Sequence, residues 1–359
     1  MTVRLRPAFP DDAEPAGAIC SEAFKTIAER HGFPPDVTSA SDTTDLISGL
    51  LSRPDIYSII AEINGRVVGS NFLWEADTVA GVGPITVGPD VQNKAIGRQL
   101  MDAVLERARQ QGISAVRLVQ AAYHSRSLSL YTKLGFVVRE PLALLQGEPL
   151  WPLDDDRAVR TAAEADLDAA NELCRRVHGH DRANALRDAI GEGAATVVEH
   201  EGRLTGYATG IGFFGHAVGE TTEDLKALIA EASSFSGPGF LLPMRNADLF
   251  RWCLEQGLRV VQPMTLMSVG PYQEPQGAFL PSILYTDPPR LARVDPKPAH
   301  GLPSSPHGAS NRPPDLSTPL AGLLWPCCGA QKSPEPKNCT RVHLSRLGQV
   351  FTPKHGRFG

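Results

Sequence analysis

The chain repeats part of itself, and this constrains its fold more than any other feature. Leu5 to Cys20 aligns without a gap on Val159 to Cys174, so that Arg6, Ala8, Asp12, Ala16 and Cys20 match Arg160, Ala162, Asp166, Ala170 and Cys174. Further on, Glu62, Gly65, Arg66 and Gly69 match Glu199, Gly202, Arg203 and Gly206, and Gly135 matches Gly257 in a shared helix-then-turn context. Three matches in the same order indicate two copies of one fold. Pro149 to Asp156, rich in proline and aspartate, reads as the linker between them.

The repeat ends where the composition changes. From Thr286 onward the last 74 residues hold 13 of the 30 prolines and show neither helical nor strand periodicity. Such a segment buries too little apolar surface to offset its chain entropy. The expected organisation is residues 1–148, residues 149–285 and a disordered Pro-rich tail, 286–359. The tail carries a net charge of +6, which leaves −11 on the remainder. An acidic body repels nucleic acid and suits a cationic or amine partner. No apolar run approaches the roughly 18–20 residues of a membrane span. The start, Met1 to Pro7, lacks the apolar core of a signal peptide, so cytoplasmic residence is expected. The six cysteines make no C-x-x-C pair, so no zinc or redox site is expected, and Cys20, Cys174 and Cys253 read as buried free thiols.

In the first copy, Asp11-Asp12 opens a helix that runs to about His31. Tyr57–Ile63 and Arg66–Leu73 are strands joined at Asn64-Gly65, a strong hairpin signal. Val82–Val87 is a strand, Gly97–Gln111 a helix, Ala115–Val119 a strand, Ser125–Lys133 a helix, and Phe136–Leu145 strand-like. The order α-β-β-β-α-β-α-β implies an α/β fold with a mixed sheet.

Two stretches carry chemistry. In Ile85 to Arg98 a strand ends in a tight turn and a short loop opens a helix, so that loop amides and the helix N-terminus can receive phosphate oxygens. Lys94 and Arg98 add positive charge. The second stretch is His124-Ser-Arg-Ser127-Leu-Ser-Leu130-Tyr131-Thr-Lys-Leu134-Gly135-Phe136. The first resembles the pyrophosphate loop Q/R-x-x-G-x-G/A of the GNAT superfamily of N-acetyltransferases, with Gln92 and Gly97 in place and Ala95 at the first glycine. The second resembles that family's N-x-x-A-x-x-L-Y-x-x-x-G-F, with Leu130, Tyr131, Gly135 and Phe136 in agreement and His124 and Ser127 replacing Asn and Ala. If the backbone at 95 needs a positive φ, alanine costs roughly 1 kcal/mol there.

The resemblance implies two tandem GNAT-like mixed-sheet α/β domains, the first being an acyltransferase that uses acetyl-CoA, without metal, to acylate an amine. It implies that Ile85, Thr86 and Val87 bind the pantetheine arm through their backbone. It further implies that Gln92, Asn93, Lys94, Ala95, Ile96, Gly97 and Arg98 hold the pyrophosphate, that His124 and Ser127 touch the cofactor, and that Tyr131 protonates the leaving thiolate. No motif fixes the base; Glu75, at the end of the third strand, is the first candidate, and His31 is another substrate-side candidate. The second copy reads as degenerate: Glu220, Glu223 and Asp224 stand where the first offers Gln92, Lys94 and Arg98, and Cys253 stands in place of Tyr131. A non-catalytic acyl-CoA-binding or regulatory module is the alternative reading.

Overall fold

A computed structural model of the 359-residue chain describes residues 2–35, 39–153 and 155–282, all within one compact unit, Met1–Pro296. The tail expected over 286–359, with Cys327, Cys328 and Cys339, lies outside the described residues. The first copy runs β1 (Arg4–Pro7), α1 (Ala13–Arg30), α2 (Ala40–Ser52), β2 (Ile56–Ile63), β3 (Arg66–Trp74), β4 (Val79–Val82), β5 (Thr86–Val87), α3 (Ile96–Gln110), β6 (Ala115–Ala121), α4 (Ser125–Lys133) and β7 (Val137–Gln146). The second runs β8 (Ala158–Thr161), α5 (Leu167–His178), α6 (Ala183–Gly191), β9 (Thr196–His200), β10 (Arg203–Ala208), β11 (Ala217–Gly219), α7 (Thr222–Ala230), β12 (Phe240–Pro243), α8 (Ala247–Glu255), β13 (Arg259–Val269) and β14 (Ala278–Leu280).

The repeated residues build the same contacts twice. Arg6 holds both oxygens of Asp12 at 2.8 Å and reaches Glu62 at 2.8 Å; Arg160 holds Asp166 at 2.7 and 2.8 Å and Glu199 at 2.6 Å. In each copy the aspartate also accepts a backbone N–H at 2.8 Å, from Phe9 or Ala163, and so fixes the entry to α1 or α5. The hairpins β2–β3 and β9–β10 both turn on two residues at positive φ, Asn64-Gly65 and Glu201-Gly202, the conformation a tight two-residue hairpin requires. Gly69 is needed because a Cβ there would meet the Thr86 carbonyl oxygen at 2.7 Å.

Two elements of the first copy were not foreseen. β1 is only four residues long, and α2 is rich in Ser, Thr and Asp, residues that read as loop; Ser39 caps it by accepting the Asp42 N–H, and Ile47 and Leu50 bury its face. The strand expected over 82–87 is two short strands, β4 and β5, separated at Gly83-Pro84.

The copies exchange strands. The larger sheet has the order β1-β2-β3-β4-β6-β13-β7-β12, with β5 paired to β3. β13 of the second copy thus lies between β6 and β7 of the first, antiparallel to both, and β12 adds to the far side of β7. The remaining strands of the second copy form a separate sheet, β14-β11-β10-β9-β8. One core cluster packs α3 and α4 on the first copy's strands through Leu100, Val104, Leu118 and Tyr131. Another packs α7 and α8 on Ala143, Leu145, Phe240 and Leu242, residues drawn from both copies.

Candidate active site

The site begins where two parallel strands part. β4 pairs with β6 over Val79↔Ala115, Ala80↔Val116 and Gly81↔Arg117. Beyond Gly81 the ladder stops: β5 pairs with β3, through Gly69↔Val87 and Ser70↔Thr86, while β6 continues to Ala121 against β13. No ladder joins β5 to β6, so a slot opens between them, with Ile85, Thr86 and Val87 on one wall and Leu118 to Ala121 on the other. Thr86 is held by a buried contact between its hydroxyl and that of Ser70, at 3.2 Å.

At the end of β5 the chain turns into α3. Asn93 and Ala95 both lie in the left-handed region, at φ 66° and 59°, and Ala95 is the N-cap residue. An alanine side chain cannot accept a hydrogen bond, and the first turn of α3 holds no acidic residue. The N–H groups of Ile96, Gly97 and Arg98 therefore lack a capping side chain at the positive end of a 15-residue helix. Gln92 donates from Nε2 to the Val87 carbonyl at 3.1 Å and ties the loop to β5. Arg126, on the first turn of α4, donates to Gln92 Oε1 and, at 3.1 Å, to Asn93 Oδ1. Arg126 thus sits beside this helix end, and Lys94 and Arg98 flank it in the chain, Arg98 paired with Asp102 at 3.5 Å. A methyl group placed on Gly97 would meet Leu130 and Val87 at 3.7 and 3.8 Å, so α4, β5 and α3 converge there.

Tyr131 lies on the inner face of α4, 6% exposed, its ring 6.0 Å from that of Phe136. Burial pushes its hydroxyl above the ordinary phenol range, which keeps the proton on oxygen. One turn earlier, the Ser127 hydroxyl lies 2.7 Å from Gln120 Oε1 and 2.9 Å from the His124 carbonyl. Gln120 Nε2 and His124 Nε2 are buried without hydrogen-bond partners. Burial, aided by Arg126, pushes His124 down to about 4, so its imidazole is neutral near pH 7. Tyr123 donates from its hydroxyl to Gln262 Oε1 of the second copy at 2.8 Å and stacks on Phe33 at 4.3 Å, with His31 at 5.2 Å. The loop after α1 therefore reaches the end of β6.

The structure does not bring Glu75 to this slot. Its carboxylate is held in two-point fashion by Arg107, at 2.6 and 3.0 Å, on the last turn of α3. That is about 16 Å along the helix axis from Ile96 at 1.5 Å per residue. Arg126 and Gln120 had not been singled out from the sequence. An arginine two residues past His124 is a signal in retrospect, but its partners are 33 and 34 residues away.

The second copy closes every corresponding feature. β14 pairs with β11 over Ala217↔Leu280 to Gly219↔Ala278, along the strand that corresponds to β4 and β5. At the N-terminus of α7, Asp224 accepts from Thr221 N–H at 2.9 Å, the Thr221 hydroxyl at 2.8 Å, the Thr205 hydroxyl at 2.8 Å and Arg157 at 3.1 Å. The helix end is capped by its own carboxylate, which is 1% exposed. Cys253 is fully buried, and burial pushes its thiol up to about 12, so it carries no thiolate near neutrality.

The chain is similar to known proteins. Residues 22–136 match the acetyltransferase (GNAT) family. A relative, the "IAA acetyltransferase" of Azospirillum brasilense, is 34% identical over 103 residues, which are 28% of this chain and 67% of that protein. The crystal structure of a putative acetyltransferase from Pyrococcus horikoshii superposes with a TM-score of 0.59 at 18% identity, over 79% of this chain and 92% of that one. A tandem GNAT protein from the clavulanic acid biosynthesis pathway aligns over 76% of this chain and 100% of its own, at 14% identity and a TM-score of 0.46. With that family match over the slot, the Gln92–Arg98 loop and α4, the chain belongs to the GNAT acetyltransferase family.

Proposed function

We propose that the chain is an acetyl-CoA-dependent N-acetyltransferase whose first copy holds the donor and whose second copy buttresses the slot. The carrying observation is the uncapped N-terminus of α3 beside the slot between β5 and β6. The loop Gln92 to Arg98, with Arg126 beside it, would hold the pyrophosphate, and the backbone of Ile85 to Val87 the pantetheine amides. Gln120 and His124, each with a buried polar atom lacking a partner, fit an amide-bearing ligand there. Acetyl-CoA supplies the activated thioester. Tyr131 keeps its proton through burial and is the donor toward the sulfur that leaves. The relative's acetyltransferase name supports acetyl transfer as the reaction class.

Calorimetry should show CoA binding to the full chain, and free thiol should appear when acetyl-CoA is mixed with an acceptor from a broad panel of amines. Absence of CoA binding would sink the proposal. A second reading, binding without turnover, draws support from Glu75, whose two oxygens are committed to Arg107. CoA binding with no thiol release on any amine would decide for it.

A further inference from the structure

The slot between β5 and β6 has two faces, and different parts of the chain lie over them. On the face toward α3 and α4, Val82 and Leu118 belong to the cluster with Leu100, Val104 and Tyr131. Side chains alternate along a strand, so their neighbours point the other way. On β3, Phe72 and Trp74 pack with Ile47 and Leu50 of α2; on β6, Val119 and Ala121 pack with Met264 and Leu266 of β13. Phe213, from the β10–β11 loop of the second copy, packs against both of these groups. In the sheet order β3-β4-β6-β13 the two groups lie on either side of the slot. One ring therefore spans the slot on its far face, and that residue is half-buried rather than sealed.

The loop holds this ring in place. The Phe213 N–H donates to the Ser236 carbonyl at 3.3 Å, and the Ser282 hydroxyl lies 3.2 Å from the Phe213 carbonyl oxygen and 3.0 Å from that of Phe214. Gly212 bridges to Ser236, and a side chain on it would run into that serine. The rings of Phe213 and Phe214 meet edge to face at 5.5 Å. There is room at the inner end of the slot: a Cβ built on Gly83, whose carbonyl takes the Trp74 indole N–H at 2.9 Å, would meet no atom of the described residues within 4 Å. We propose that Phe213 of the second copy sets the length of the acyl group that the donor can carry. This rests on the reading that the slot takes the pantetheine arm of an acyl-CoA. The thioester then lies near the inner end, where β4 and β6 part. A chain extended from its carbonyl is barred from the side of α3 and α4, which Leu100, Val104, Leu118 and Tyr131 fill. It leaves by the far face and meets the Phe213 ring. An acetyl group ends before the ring, and further methylenes are driven into a side chain whose backbone is fixed.

The test is calorimetric titration of CoA, acetyl-CoA and hexanoyl-CoA into the full chain, with no acceptor amine present. The parent should bind CoA and acetyl-CoA alike and hexanoyl-CoA at least about tenfold more weakly, the scale of an overpacked site. Phe213→Ala should bring hexanoyl-CoA to within about threefold of acetyl-CoA, while CoA affinity within about twofold of the parent shows that the variant is folded. Phe213→Leu keeps an apolar side chain and should recover part of the difference, which gives a second arm if Phe213→Ala does not fold. Equal binding of acetyl-CoA and hexanoyl-CoA by the parent, or an undiminished preference in whichever variant folds, overturns the proposal. In both of those outcomes CoA binds and the donor reading survives, whereas absence of CoA binding to the parent overturns both together.

Discussion

Tyr131 and Ala95 show how one residue can be read twice, as packing and as chemistry. The Tyr131 ring belongs to the core cluster with Leu100, Val104 and Phe136, so Tyr131→Phe keeps the packing and removes one hydroxyl. If that hydroxyl serves the departing sulfur, its contribution belongs to the transition state. Tyr131→Phe should then lower kcat by about 10²–10⁴-fold, with CoA affinity changed by no more than one hydrogen bond, about 0.5–1.5 kcal/mol. Steady-state kinetics and calorimetry on the same preparation check this; an unchanged kcat would return Tyr131 to the core alone. Ala95 carries strain instead. At φ 59° an L-residue is disfavoured by about 1–2 kcal/mol, whereas glycine loses about 0.5–1 kcal/mol through chain entropy. Ala95→Gly should therefore stabilise the fold by about 0.5–1 kcal/mol and raise the melting temperature by about 1–4 °C. A lower melting temperature in calorimetry would mean that alanine makes contacts worth more than the strain.

At the scale of elements, α3 and α7 differ in whether their N-terminal amides are open, and the proposed pyrophosphate site rests on that contrast. Both begin after the corresponding strand of their copy. α7 is closed by Thr221 and Asp224, whereas α3 begins at a left-handed alanine with no capping side chain and with Arg126 bound to the loop before it. Arg126 anchors that loop from α4, so Arg126→Gln should weaken CoA by about tenfold and flatten the salt dependence of binding, because it removes both a loop tie and a screened charge. Equal affinity at all ionic strengths would show that Lys94 and Arg98 suffice. Much of this was legible in the chain. Arg6, Asp12 and Glu62 recur as Arg160, Asp166 and Glu199 because one local network is needed wherever this helix entry is built. The left-handed turns at Gly65 and Gly202 were legible for the same reason. Other features were not. α2 lacks a clean apolar stripe and depends on tertiary burial of Ile47 and Leu50. Arg126 finds its partners only after α3 and α4 are packed. Glu75 looked free at a strand end because nothing in the spacing reveals Arg107, 32 residues on.

The whole molecule departs most from the sequence reading in how its halves are joined. The repeat implied two successive domains, residues 1–148 and 149–285. Instead β13 lies between β6 and β7, so cutting the chain at 149 would strip both strands of ladder partners and expose the edges. Nothing in the periodicity of β13 states which neighbours it takes, because a buried strand reads alike in any sheet. The exchange also produces a polar region near the seam with a consequence for stability. His178 and His216 are buried, and His180 is mostly buried, its Nε2 accepting from Arg117 at 2.9 Å. Burial, with the field of Arg182 on all three and of Arg117 on His178 and His180, pushes His178 and His216 well below 6.5 and His180 to about 3. His124 is lowered to about 4 by burial and Arg126. A histidine lowered by folding binds its proton more readily when unfolded. Its neutral form therefore supports the fold fully above about pH 6.5, and that support is lost as pH falls below 6.5 toward the folded value. Between pH 7 and pH 5 the unfolded histidines take up protons that the buried ones refuse, so each buried histidine contributes a loss. Asp77 and Glu140, raised by burial, act in the opposite sense, gaining stability as pH falls through their folded values toward the ordinary carboxylate range. With four histidines against two carboxyls, the balance between pH 7 and pH 5 is a loss. The melting temperature should fall across that interval, and His180→Asn, which keeps a hydrogen-bonding group without a titrating ring, should make the fall shallower. A melting temperature that is flat from pH 7 to pH 5, or a slope unchanged in His180→Asn, would mean that the seam admits the proton without opening.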